Sequence, residues 1–144
     1  MTVLKTGLST GNEHVIAIDC NTGKKVADKI GTPIQVKWQF IEGYSGNAVT
    51  IHNHPSSTPF SPRDLYYFGS NSNTKCMGVQ GHNGILYSLR KTENTDFHHT
   101  ENSLRIILTG LIAIHKDKTN IEIGEIFIQM VAEVMKWEFL KGGV

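Results

Sequence analysis

The pattern of apolar residues along this chain predicts an α+β fold, a mixed sheet with helices gathered towards the end of the chain. Three observations predict it. Short stretches of strand character fill most of the chain up to Arg90. One compact helix start, Ser61-Pro62-Arg63-Asp64, interrupts them. From Phe97 onward the apolar spacing changes to three and four, the stripe of amphipathic helices.

The first dozen residues carry Gly7, Ser9, Thr10 and Gly11 and read as a loose arm. Residues 13 to 19, EHVIAID, read as a strand. Asn21-Thr22-Gly23 is a turn signal, and Lys24 to Ile30 reads as the hairpin partner. In residues 34 to 40, Ile34, Val36, Trp38 and Phe40 alternate with polar side chains, which predicts a half-buried strand. Glu42 to Gly46 is a loop, and Ala48 to His54 is a fourth strand ended by Pro55. Ser61 stands at the N-cap of a short helix, with Pro62 at its first position and Asp64 at its third. Residues 75 to 80 and 85 to 90 read as strands joined by Gly81-His82-Asn83-Gly84. Leu104, Ile107, Leu108, Leu111 and Ile114 mark one long helix. Ile123, Phe127, Met130, Val134 and Trp137 mark a second.

Size and composition narrow the functional classes. A chain of 144 residues with 39% hydrophobic and 19% charged residues can bury one core and is not disordered by composition. A net charge of +1 gives no reason to expect non-specific nucleic-acid binding. No apolar run approaches a membrane span, and no secretory h-region is visible, so a cytoplasmic protein is expected. Cys20 and Cys76 lack CxxC spacing, which excludes a four-cysteine zinc site; they read as reduced, partly buried thiols. His82 reads as an exposed turn residue, His98 and His99 as surface, and His115 as a helix-end histidine. Trp38 and Trp137 read as core or interface aromatics.

The chemistry concentrates in IHNHPSSTPFSPRD, residues 51 to 64. Residues two apart on a strand share a face, so His52 and His54 project together. Asp64 lies in the first turn of the helix that follows. If the loop folds back, two imidazoles and one carboxylate make a three-ligand site with an open fourth position, the layout of a catalytic zinc. Zinc held this way lowers the pKa of a bound water to about 7. A helix cap accounts for Ser61 and partly for Asp64. It does not account for His52-Asn53-His54-Pro55.

His-x-His-Pro followed by Ser-x-x-Asp resembles the signature of the JAB/MPN (JAMM) metalloenzyme superfamily. His52-Asn53-His54-Pro55-Ser56 is especially similar to the RadC-like bacterial branch, and to JAB-related domains of phage head-associated proteins and bacterial toxins. Met77-Gly78-Val79, His82-Asn83-Gly84 and Tyr87-Ser88-Leu89 also fit the family's strand, turn and strand after the site helix. The resemblance covers about residues 12 to 91 and is strongest over 51 to 64. It implies a JAB/MPN-like, cytidine deaminase-like fold with its core over about residues 12–91. One domain is expected over residues 1–144, with a terminal helical pair over about 97–140. It implies His52, His54 and Asp64 as zinc ligands, and Ser61 as a donor to the developing oxyanion. It implies a glutamate as general acid/base, for which Glu13 is the first candidate and Glu42 the second. The loop from Pro55 to Phe60 is one residue shorter than the family usually has. The implied activity is hydrolysis of an amide or isopeptide bond in a peptide or protein. A non-catalytic MPN-like scaffold and a RadC-like nucleic-acid-associated protein are the alternatives. The two terminal helices have no counterpart in the family pattern, and either cover the sheet or form a homo-oligomer interface.

Overall fold

The computed structural model describes residues 2–143; Met1 and Val144 lie outside them. The elements run α1 (Thr2–Thr10), β1 (His14–Asp19), β2 (Lys25–Ile30), β3 (Ala48–His54), α2 (Pro62–Ser70), β4 (Thr74–Gly81), β5 (Ile85–Arg90), α3 (Glu101–Ile114), α4 (Asn120–Met135) and β6 (Glu138–Gly143). The six strands form one mixed sheet in the order β2-β1-β3-β4-β5-β6. The β3/β4 pair is parallel and the other pairs are antiparallel. A parallel pair needs a crossover, and α2 supplies it between β3 and β4.

The α+β class follows the hydrophobic pattern, and most elements lie where that pattern puts them. Four details differ, each for a physical reason.

The first is the N-terminal arm, which is a helix instead. Val3 and Gly7, four residues apart, share its buried face, which packs on β1, β3 and β4. Gly7 is a point of close approach: a Cβ there would lie 2.1 Å from Asn53 Nδ2. Gly11, at φ 74°, takes the left-handed position just past the helix end, and its N–H returns to Gly7 O at 2.7 Å.

The second is the expected strand over residues 34 to 40, which joins no sheet. Its alternation is real but serves a loop cluster. Trp38 packs on Phe40 and Tyr67, each at 5.1 Å between centroids, and Phe40 packs on Tyr44. Ile34 is 84% exposed.

The third is the stripe on α4. Ile123, Phe127, Ile128, Val131, Ala132 and Met135 are buried, whereas Met130 and Val134 face out, Val134 at 65% exposure. Trp137 lies beyond the helix, after Lys136 in the left-handed conformation. It is buried against Phe68 and Phe97. Ile114, expected on the apolar stripe of α3, is likewise exposed.

The fourth is β6, absent from the hydrophobic pattern. It pairs along β5 from Arg90↔Glu138 to Ile85↔Gly143, and Arg90 meets Glu138 in an ion pair. The cysteines also differ in part: both are free, but Cys20 is exposed and only Cys76 is half-buried.

The main core lies over β4 and β5. Met77, Val79, Tyr87 and Leu89 meet Leu65 and Phe68 of α2, Leu104 of α3, and Phe127 and Ile128 of α4. The terminal helices therefore cover the sheet. A smaller cluster, Ala17, Val26, Ala27 and Ala48, lies under Trp38, Phe40 and Tyr44. Among the described residues, no helix is long and apolar enough to cross a membrane.

Candidate metal centre

Strand register builds the site. β1 and β3 pair antiparallel from Asp19↔Ala48 to Val15↔His52. His52 and Thr50 share one face of β3, and Val15 and Ala17 share the same face of β1. Two further residues of that register would set Glu13 opposite His54. The side chains bear this out: Glu13 Oε1 lies 3.9 Å from His54 Nε2.

The third component arrives with α2. Pro55 ends β3, and Ser57 N–H donates to His54 O at 2.9 Å, which turns the chain sharply. Ser57 takes a positive φ of 60° in this turn. The helix then opens with a reciprocal capping box: Asp64 N–H donates to Ser61 Oγ at 3.2 Å, and Ser61 N–H donates to Asp64 Oδ2 at 2.8 Å. The cap holds the Asp64 carboxylate over the imidazoles. Asp64 Oδ1 lies 3.4 Å from His52 Nε2, and Oδ2 lies 3.3 Å from His54 Nε2. The capping and ligand readings of Asp64 thus hold together.

His52 Nε2 and His54 Nε2 stand 3.1 Å apart. Bonds of about 2.0–2.1 Å in a tetrahedral site put neighbouring ligand atoms about 3.3 Å apart. The two imidazole nitrogens are close to that spacing, and each has a different Asp64 oxygen at a similar distance, Oδ1 for His52 and Oδ2 for His54. With one ligand atom from each residue within 4.8 Å of the others, His52, His54 and Asp64 could hold a metal ion. The tautomer suits it. His54 Nδ1–H donates to Thr58 O at 2.8 Å, so the neutral ring carries its lone pair on Nε2, facing the other ligands. The short loop from Pro55 to Phe60 supplies that carbonyl and still leaves Ser61 on the cleft wall.

The charged groups of the cluster shift one another's protonation. Burial alone would lower the His54 pKa, but Asp64, then Glu13, outweigh it and raise it to about 9. Burial would raise Asp64, yet the two imidazoles hold it well below the usual carboxylate range. Glu13 goes the other way. It is 8% exposed, and burial pushes its carboxyl up against the pull of His54 and His52. Two carboxyl groups that both approach His54 Nε2 are driven to opposite protonation behaviour, a pattern that separates a charged group from a proton carrier.

The site opens into a cleft of about 650 Å³. Its walls include Val15, Val36, Trp38 and Tyr67, and three cationic side chains, Lys37, Arg63 and Arg105. Arg63 donates to Gln35 Oε1 at 2.6 Å, which ties the 33–38 segment to α2 across the cleft. Arg105 comes from α3, so nothing in the motif points to it; its only advance signal is a cation on the polar face of that helix.

The other expected residues fall elsewhere. Glu42 is exposed in its loop and does not line the cleft. His82, expected to be exposed, is half-buried on the opposite face of the sheet, 3.0 Å from Asn53 Nδ2, and is not a ligand. His98 is exposed, beside Asp96, and His115 caps the C-terminus of α3.

Comparison with protein-family models, curated proteins and solved structures gives no match.

Proposed function

We propose that this cleft is the active site of a zinc-dependent hydrolase of the JAB/MPN type, cleaving an amide or isopeptide bond in a peptide or protein. The observation that carries the proposal is the placement of Glu13, a buried carboxyl 3.9 Å from one ligand of a three-ligand cluster that opens into a cleft. A purely structural metal site would use four protein ligands and be closed. His52, His54 and Asp64 would hold the zinc, and zinc supplies Lewis acidity and a water of lowered pKa.

The chain's own groups supply the rest. Glu13 Oε1 takes a proton from the attacking water and returns it to the leaving nitrogen, a role that suits a carboxyl with a raised pKa. Ser61 Oγ accepts the Asp64 N–H, which leaves its own hydrogen for the developing oxyanion. The cationic rim and the Val36–Trp38 wall receive an extended chain.

The test is cleavage of a panel of peptide and isopeptide substrates by zinc-loaded wild type and Glu13→Gln. Wild type should cleave at least one. The variant should keep zinc and lose about 10²- to 10⁴-fold in kcat. No cleavage of any amide or isopeptide by zinc-loaded wild type would overturn the reading.

A further inference from the structure

We propose that Asn53, between the two histidines, is a positioning residue that fixes Glu13 against the metal centre. This rests on the reading of Glu13 as the acid/base.

Backbone pairing between β1 and β3 runs only as far as Val15↔His52. Glu13 lies beyond the last paired residue, where the ladder no longer holds it to β3. The Asn53 side chain takes over. His14 N–H donates to Asn53 Oδ1 at 2.6 Å, and Asn53 Nδ2 donates to Asn12 O at 3.0 Å. One carboxamide therefore grips the residues on both sides of Glu13. On the other edge, Glu13 N–H donates to Thr32 O and Gly31 N–H donates to Glu13 O, each at 2.8 Å. Glu13 is clamped from β3 by a side chain and from the end of β2 by backbone.

The chemistry requires an amide. A backbone N–H can only donate and a carbonyl can only accept, so the partner must offer both an acceptor and a donor. Aspartate would keep the link to His14 but place an oxygen against the Asn12 carbonyl. Alanine would lose both. Asn53 is 0% exposed, so water cannot substitute. Its second N–H is directed at His82 Nε2, 3.0 Å away. α1 closes over the group at Gly7, where a Cβ would lie 2.1 Å from Asn53 Nδ2 and 2.7 Å from His82 Nε2. Alternation divides β3 accordingly: His52 and His54 face the cleft, and Asn53 faces the opposite side and holds the acid/base.

Two variants of the full chain test this. Asn53→Ala removes the clamp. Gly7→Ala displaces the carboxamide from outside while placing a better helix former in α1. The first readout needs no metal and no substrate: nuclear Overhauser contacts between the Glu13 side chain and the His54 ring. Those contacts should be lost in both variants, while contacts between the His52 and His54 rings persist and zinc uptake stays at about one per chain. In active preparations kcat should fall about 100-fold with KM unchanged. Asn53→Asp, which keeps the His14 link, should retain part of the Glu13–His54 contact. Persistence of that contact in both Asn53→Ala and Gly7→Ala would overturn the proposal. So would loss of the His52–His54 contacts together with it, since Asn53 would then hold the fold rather than Glu13. A wild type that takes zinc but hydrolyses nothing would sink the hydrolase reading alone, because the metal-free contacts still decide the role of Asn53.

Discussion

The two halves of the sheet are built differently. The β4-β5-β6 half is covered by α2, α3 and α4 and buries large side chains, among them Tyr87, Phe68, Phe127 and Trp137. The β2-β1-β3 half has a small apolar cluster of alanines and one valine, roofed by a loop. It also carries most of the buried polar side chains: Glu13, His14, Asp19, Thr50, His52, Asn53 and His54. Buried polar groups cost stability unless each is paired. The comparison teaches a division of labour. One half supplies packing energy, and the other spends hydrogen bonds on holding a polar site in shape. α2 joins them, with Leu65 and Phe68 in the large core and Asp64 in the candidate metal cluster.

Three perturbations would break or sharpen that division. Phe127→Ala acts wholly in the packed half and should destabilise the fold by about 3–5 kcal/mol. Zinc bound per folded chain should not change. Denaturant unfolding together with metal analysis checks both, and loss of zinc from folded protein would show that the halves are coupled.

Ser61→Ala acts where the halves meet. Removing the cap should cost about 1 kcal/mol of stability. Removing the oxyanion donor should cost about 3 kcal/mol in kcat. A stability loss with unchanged kcat would reduce Ser61 to a cap.

The smallest effect is a proton. In the metal-free protein His54 titrates at about 9, so its ring is charged at pH 7. A metal needs the Nε2 lone pair and must displace that proton. Metal affinity should therefore rise with pH and level off above about 9. Binding near neutrality should release about one proton from His54. Calorimetry in buffers of different ionisation enthalpy reads the release. The sign for stability runs the other way. The charged ring pairs with Asp64 and Glu13, so its contribution to metal-free stability is complete below its ordinary value of 6.5 and is lost as pH rises through about 9.

Much of the candidate site was legible in the sequence because it is local. His52 and His54 share a face by strand period alone, and Ser61-Pro62-Arg63-Asp64 is a helix start by residue type alone. The Gly81–Gly84 hairpin was legible for the same reason. What stayed hidden depends on contacts between distant segments. Gly7 carries the signal of a helix breaker, and its use as a point of contact with Asn53 requires β3 to be in place. The alternation in residues 34 to 40 states that one face is sheltered, but not that Ile34 escapes it, nor that Trp38 and Phe40 pack on Tyr67 and Tyr44 rather than in a sheet. β6 ends in Gly142 and Gly143 with little apolar character; it is a strand because β5 offers an open edge. Asn53 was in view within the motif, and its role appears only once Asn12 and His14 stand beside it.

The central claim is that His52, His54 and Asp64 hold zinc. The most direct measurement is metal content by plasma mass spectrometry on tag-free wild type, His54→Ala and Asp64→Ala, each checked for folding. The expected result is about one zinc per chain in wild type and none in either folded variant. A wild type that stays metal-free after zinc is supplied, or a folded Asp64→Ala that keeps its zinc, would contradict it.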